Sequence, residues 1–585
     1  MLHDHGQPSR FIPDTKRGHW ANPNDFIYAG LGLAFRFDVF SLSRIYLIDA
    51  NVIYFMPECL LGLFFYIVPF IVLQSFLGQF SSSGYISAFR LTPLYKGIGY
   101  VALMLNICVL SFYSIFAMIA LVYMFSSMQP TLPWNYENYE KWSMNFTKQE
   151  KINLCNLYVP DDNDAHYSDK IIAGNNYIPS ALYFKTFFEN TYGFVDFSMS
   201  WQLVLCDIIV WTLVILFFYK FFNTERFGAI IRYTIWILLA LLSVLLIRFS
   251  FLPGSGKVYY SVFVPSWVNF TNSLISMPIY SIYSFGPGWG LFITLASFNK
   301  FKTNVMQKSW LIGLGQLAIV IGLNLLANLI KQYFKEVTGD KYYTEVAHVW
   351  IPYLSAGSAM TDMAWANLWS ILYYFMLFLS AMLTIIMELY TILTTVFDEF
   401  AALRKCKVLM GTCLIAATAP ISLYFTSYIG FRNFVAILID TYFTHTILNL
   451  LLILIVLWIY GRERLQRDMK FMTNSHFSTW QINALRFVVP LALLIILIYF
   501  FFEACVTHYL SNQFIAIFAL IFIIIPIVLI PIYAVYYVCQ SDVGRSNNWY
   551  PVELEDRERY EDVVISNDSI ILEQKDITDY NTSPI

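Results

Sequence analysis

The sequence has little charge. Asp, Glu, Lys and Arg make up 13% of its 585 residues, whereas hydrophobic residues make up 58%. A water-soluble chain of this length needs more charge to cover its surface. The net charge of −3 holds no basic excess and no basic stripe runs along the chain, so nucleic acid is not an expected partner. Cysteine is present without a pattern. Cys59, Cys108, Cys206, Cys413 and Cys505 sit in apolar runs, as packing residues do. No CxxC and no His/Cys cluster offers a metal site. No set of nucleophile, base and oxyanion donors emerges, so neither an enzyme nor an enzymatic cofactor is expected. The first residues, MLHDHGQPSRFIPDTKRGHW, lack the apolar stretch of a secretory signal.

What the chain has instead is long apolar runs. About twelve reach the length that crosses a bilayer, near 27–48, 52–79, 98–125, 200–220, 228–249, 272–297, 309–331, 366–396, 407–428, 432–460, 483–504 and 513–539. They predict an all-α polytopic membrane protein in contact with lipid. Basic clusters such as Arg90/Lys96, Lys300/Lys302/Lys308 and Arg404/Lys405/Lys407 fall on alternate sides of successive spans. By the positive-inside rule both termini are cytosolic, and the plasma membrane is the expected location. The organisation that follows is a cytosolic tail over 1–24, a membrane domain over 25–540 and an acidic cytosolic tail over 541–585. The loop at 126–199 is then extracellular, and its sequon at Asn145 is a glycosylation candidate. The acidic tail is expected to be disordered. Its last residues, Ser583-Pro584-Ile585, fit a loose pattern for capture by a sheet-edge binding domain. Within the spans, Asp207 and Glu503 lie near helix ends, where a carboxylate can snorkel to the interface.

One run breaks its own helix. YSFGPGWG, residues 283–290, puts three glycines and a proline into eight residues. Irregular backbone at membrane depth is tolerated only where it is buried in protein or lines a cavity.

Several segments carry a family resemblance: FLGQF (76–80), PLYKGIGYV (93–101), GWGLFITLASFNKF (288–301), VFDEF (396–400) and YGRERLQRDMKFM (460–472). In order and spacing they resemble the neurotransmitter:sodium symporter family, over roughly 25–540. The resemblance implies LeuT-type inverted five-helix repeats, with the first and sixth helices broken near the midplane. Solute and ions bind at the breaks, and rocking of one bundle gives alternating access.

Carried over residue by residue, the resemblance makes Tyr283 the aromatic lid over a solute. Ser284 becomes a sodium and chloride ligand, Phe285, Gly286 and Gly288 the broken backbone, and Trp289 a pocket wall. Tyr113 stands where a tyrosine hydroxyl touches the solute. The first span departs from the pattern. FRFDVFSLSRIYL lacks the family's sodium-binding Asn, its glycines and its proline. Arg36 falls at the position that meets the solute's amine or carboxylate. It would repel an ammonium and pair with a carboxylate, or else pair with Asp38. Arg44 and Asp440 are candidates for an outer gate pair.

The ion positions are altered too. Gln316 stands in place of an Asn, Val320 in place of a Ser, and Leu383 in place of an Asp central to the second sodium site; Thr384 keeps a hydroxyl. Losing that carboxylate removes a ligand and the charge that offsets desolvation. Glu388, one turn beyond Thr384, is an intramembrane acid and so a candidate cation or proton site. The sequence therefore predicts a secondary transporter of small amino-acid or amine-like solutes, with sodium coupling altered or weakened. The alternative is a transport-silent relative that keeps the fold for a receptor, regulatory or partner-binding role.

Overall fold

A computed structural model describes residues 17–41, 57, 59–135, 180, 183–184, 199–264, 290–338, 351–354, 356–361, 363–504, 525–540, 549–553 and 555–563. Arg44, Asn145 and the stretch from Tyr283 to Trp289 lie outside the described residues.

The described chain is helical. Its helices are α1 (Asp25–Gly32), α2 (Val68–Ser81), α3 (Gly97–Ser126), α4 (Trp201–Phe221), α5 (Thr224–Ser250), α6 (Leu291–Ala296), α7 (Val305–Thr338), α8 (Ala366–Glu399), α9 (Lys407–Tyr424), α10 (Tyr428–Leu454), α11 (Arg462–Thr473), α12 (Val489–Ala504) and α13 (Ile525–Gln540). Short connecting helices lie between some of them. Nine helical stretches among the described residues are long and apolar enough to cross a membrane, and each coincides with an expected span. This is a polytopic helical membrane protein.

Polar chemistry sets several helix ends. Asn223 caps α5 through its side chain, which accepts from the Glu225 amide at 3.2 Å. Ser427 caps α10 by accepting from the Gly430 amide at 3.2 Å. A π-helical turn, Ile455–Gly461, joins α10 to α11. The expected tenth span therefore continues as helix to Thr473, beyond its expected end near 460.

The helices sort by what they face. Every residue of α2 is buried, and α3 packs along the length of α8 at the centre. On the outside α4, α5 and α12 turn large apolar side chains outward, among them Ile208, Leu216, Trp236, Ile247, Leu491 and Ile495. In water such faces would mark interfaces; here they are the lipid-facing surface.

Two places show how closely the backbones approach. α2 crosses α6 at Gly78, where a Cβ would fall 1.8 Å from the Ile293 carbonyl oxygen. α6 begins immediately after Gly290, whose φ of 85° is left-handed and favours glycine. The helical end of the expected break in the sixth run therefore lies at this residue.

Two expectations are corrected. Asp207 does not snorkel. It is buried in α4, and the Ser422 hydroxyl of α9 donates to it at 2.9 Å. The acidic tail is not disordered throughout, because residues 549–553 and 555–563 pack against the body.

Candidate functional site

The first span is broken. α1 runs to Gly32 and tightens into a 3-10 turn over Leu33–Phe35. Arg36 then takes φ −52° and ψ 138°, which is not helical. Helix resumes over 37–41. The break occurs without the family's glycines and proline, and it frees backbone groups that buried side chains satisfy. The Ser380 hydroxyl of α8 donates to the Phe35 carbonyl. The Phe37 amide donates to the Tyr113 hydroxyl of α3 at 2.9 Å.

Asp38 is the hub. The Arg36 guanidinium grips its carboxylate through Nε, at 3.1 Å from Oδ1, and through Nη2 on Oδ2. The Tyr113 hydroxyl, fixed by the Phe37 amide, donates to Oδ1 at 2.9 Å. The Tyr442 hydroxyl of α10 donates to Oδ2. Arg36 and Asp38 are 2% and 1% exposed. A carboxylate this dry requires its countercharge and every donor it can find, and this one has four donated hydrogen bonds. Phe37, between the two charged residues, packs its ring on Phe116 (4.4 Å) and Tyr353 (4.8 Å), which holds the broken turn in place.

Of the two roles open to Arg36, the structure takes the pairing with Asp38. Arg36 and Tyr113 thus meet in one cluster at the break. Tyr442 and Ser380 join the site unannounced by the sequence. No local signal marks either among 41 tyrosines and many hydroxyls. Asp440 is buried in α10 two residues before Tyr442.

The ion candidates lie around this cluster. Gln316 donates its amide to the Gly30 carbonyl at 2.7 Å, tying α7 to α1, while its buried Oε1 has no partner among the described residues. The Thr384 hydroxyl donates to the Ser380 carbonyl at 3.2 Å. Leu383 beside it is buried and brings no oxygen. Among the described residues, Gln316, Leu383 and Thr384 provide neutral oxygens and no carboxylate. Glu388 is different. It is 1% exposed, and neither of its carboxylate oxygens has a hydrogen-bond partner among the described residues.

A second cluster seals one end of the bundle. The Arg17 guanidinium pairs with Asp398 at the end of α8 (2.7 Å). It also donates to the Ser82 carbonyl beyond α2 (2.8 Å) and to the Ser297 hydroxyl beyond α6. It lies 4.4 Å over the Phe298 ring. Trp20 donates through its amide to Phe298 (3.0 Å) and through its indole to Leu295 (3.1 Å). Three helix ends are thereby tied to the start of the chain.

Comparison with known proteins gives one consistent result. The profile of the sodium:neurotransmitter symporter family matches residues 17–541. The sodium- and chloride-dependent glycine transporter 1 of Xenopus laevis is 24% identical over 586 residues, covering 93% of this chain and 90% of the relative. The human sodium- and chloride-dependent neutral and basic amino acid transporter B(0+) is 24% identical over 535 residues, covering 83% and 79%. The sodium-dependent nutrient amino acid transporter 1 of Drosophila simulans is 25% identical over 517 residues, covering 83% and 78%.

Proposed function

The chain belongs to the sodium:neurotransmitter symporter family, and from that premise we propose that it carries small amino-acid solutes by alternating access with altered ion coupling. The family and the relatives are transporters and not enzymes. The relatives' names speak for amino acids and for sodium and chloride. The observation that carries the reading is the break at Arg36, where freed backbone, a buried ion pair and two tyrosine hydroxyls from other helices converge.

The chemistry narrows the solute. Arg36 is neutralised by Asp38, so an anion finds no spare cation there. A zwitterion, neutral overall, suits such a cavity better than an acid or a simple amine. Tyr283 as lid, Ser284 to Gly288 as broken backbone and Trp289 as wall complete the proposed pocket. Arg44 and Asp440 form its outer gate. The Arg17–Asp398 pair forms the inner one, on a face that is cytosolic if the basic loops are inside.

The proposed departure is in ion coupling. With Leu383 in place of an acid, sodium has no carboxylate at that position. Glu388 is the proposed substitute. An acid buried without a donor is costly as a bare anion, by several kcal/mol, and a proton or a small monovalent cation relieves that cost. Uptake by purified protein in liposomes tests the reading, with a panel of labelled amino acids and amines and with sodium, chloride and pH gradients imposed singly. Saturable uptake driven by pH, or indifferent to sodium, is expected. Uptake that collapses without sodium overturns the coupling proposal.

The transport-silent reading keeps one observation in its favour: the polar groups at the break satisfy one another. Absence of uptake for every solute, by protein shown to be folded in the liposomes, selects it.

A further inference from the structure

Residues 549–553 and 555–563 form a strap over the face that carries Arg17. Trp549 is 6% exposed. Its ring stacks on Phe80 of α2 at 4.8 Å, and its indole donates to the Tyr460 hydroxyl at 3.1 Å. Helical turns over 555–563 follow and turn Tyr560 inward, also 6% exposed. The Tyr560 ring meets Phe80 at 5.5 Å and Phe471 of α11 at 5.4 Å. Its hydroxyl lies 3.1 Å from both oxygens of Asp468.

Asp468 is fully buried. It also takes the Tyr460 hydroxyl and the Arg467 Nε, the latter at 3.0 Å. The strap therefore binds two parts of the bundle at once. One is the end of α2, two residues short of the Ser82 carbonyl that holds Arg17. The other is α11. Burial first, then the Asp468 carboxylate, holds the Tyr560 phenol well above its ordinary range, so at neutral pH it is a proton donor.

Of the acids around Tyr560, Asp556 is buried and faces Lys302 of the bundle at 3.9 Å; the others are not accounted for by contacts with the bundle among the described residues. Residues 553–563 hold Glu553, Glu555, Asp556, Glu558, Glu561 and Asp562, and Glu555 and Glu561 pair only with the strap's own arginines. A tyrosine set among acids has the charge pattern that a kinase with basic substrate subsites recognises.

We propose that Tyr560 is the catch of this strap, and that phosphorylation of its hydroxyl by a tyrosine kinase releases it from the bundle. The kinase acts on the fraction of chains whose strap has opened. The phenol oxygen attacks the γ-phosphorus of ATP and gives up its proton to the kinase's catalytic carboxylate. The bond to the β-phosphate oxygen breaks, and ADP leaves. The product carries about −1.5 to −2 charge at neutral pH. It cannot return to a site whose far wall is a buried carboxylate, because like charges in a dry pocket repel and both lose their water. The strap, once opened and modified, stays open, and the end of α2 beside the Arg17 seal loses a brace. This inference needs only the cytosolic placement of that face, not the solute or ion assignments above.

The test uses the full-length protein in lipid nanodiscs, with a purified acid-directed tyrosine kinase and MgATP. Sites are mapped by peptide mass spectrometry, and trypsin cleavage after Arg557 and Arg559 reports strap release. Phosphate at Tyr560, with cleavage there rising about tenfold or more, is expected. Tyr560→Phe is expected to take no phosphate at this position, to raise basal cleavage because the hydroxyl's bonds to Asp468 are lost, and to show no further rise with the kinase. Trp549→Ala should raise cleavage with no kinase present, which shows that the assay senses the strap. Phosphate at Tyr560 with cleavage unchanged overturns the proposal. So does failure to modify Tyr560 in the intact protein when the same kinase modifies a 549–563 peptide. Modification of that free peptide only at other residues overturns it as well.

Discussion

Replacing Asp38 by alanine removes the acceptor on which three side chains converge. Arg36, Tyr113 and Tyr442 all donate to it, and Arg36 is almost wholly buried. Each stranded buried donor costs about 1–3 kcal/mol. Breaking a buried ion pair from one side costs about 3–5 kcal/mol, because the remaining charge is uncompensated. The second figure already contains most of the first, so about 3–5 kcal/mol is the expected loss for Asp38→Ala. Unfolding entropy near 2.1 cal/mol/K per residue gives about 1.2 kcal/mol/K over 585 residues. The midpoint should then fall by about 2.5–4 °C. Unfolding of a large membrane protein is often irreversible. The assay is therefore the fraction of monodisperse protein surviving a fixed heating time in detergent, with parent and variants side by side. The decisive comparison is Arg36→Met with Asp38→Leu. Removing both charges leaves no orphaned ion, so the double variant should regain at least about half of the lost stability. An Asp38→Ala midpoint within about 1 °C of the parent refutes the argument. So does a double variant whose loss equals the sum of the two single losses, since the pair would then be uncoupled.

Arg17→Ala should loosen the seal at α2, α6 and α8, raising the thiol labelling of a buried reporter, Ala296→Cys, about tenfold; unchanged labelling means other contacts hold that face shut. Glu388→Gln keeps the shape and removes the charge site, so folding should be preserved while any pH or cation dependence of uptake disappears; persistence of the parental dependence counts against Glu388. Gly78→Ala places a methyl 1.8 Å from the Ile293 carbonyl oxygen, and forcing α2 from α6 should cost about 1–3 kcal/mol or more, seen as lost yield of folded protein. Asp207→Asn keeps an acceptor for the Ser422 hydroxyl and should shift stability by less than about 1 kcal/mol, and Asp207→Leu should also cost less than about 1.5 kcal/mol, because that hydroxyl can turn to the Ala419 carbonyl at 2.6 Å while still accepting from the Trp211 indole; a loss above about 3 kcal/mol refutes this.

The chain by itself determined its class and plan. Span length and apolar content are local along the sequence, and lipid imposes them directly, so the helical stretches fall where expected. The family could be read because its motifs are short and contiguous. The first span's departure at Phe35–Asp38 was equally visible, as was the chance that Arg36 and Asp38, two residues apart, would pair. What the sequence could not supply is which distant side chains meet. Tyr442 reaches Asp38 from 404 residues away, and Ser380 reaches the Phe35 carbonyl from 345. Hydropathy draws each helix into the membrane but does not fix which face it turns inward. For that reason Asp207 read as a residue near a helix end, whereas packing of α4 on α9 buries it against Ser422. The acidic tail misled for the same reason. Its charge describes the face turned to water, while Trp549 and Tyr560 dock only because Phe80, Phe471 and Asp468 form a site on the folded bundle. Tertiary structure alone decided those contacts, because each needs surfaces that exist only after the helices have packed.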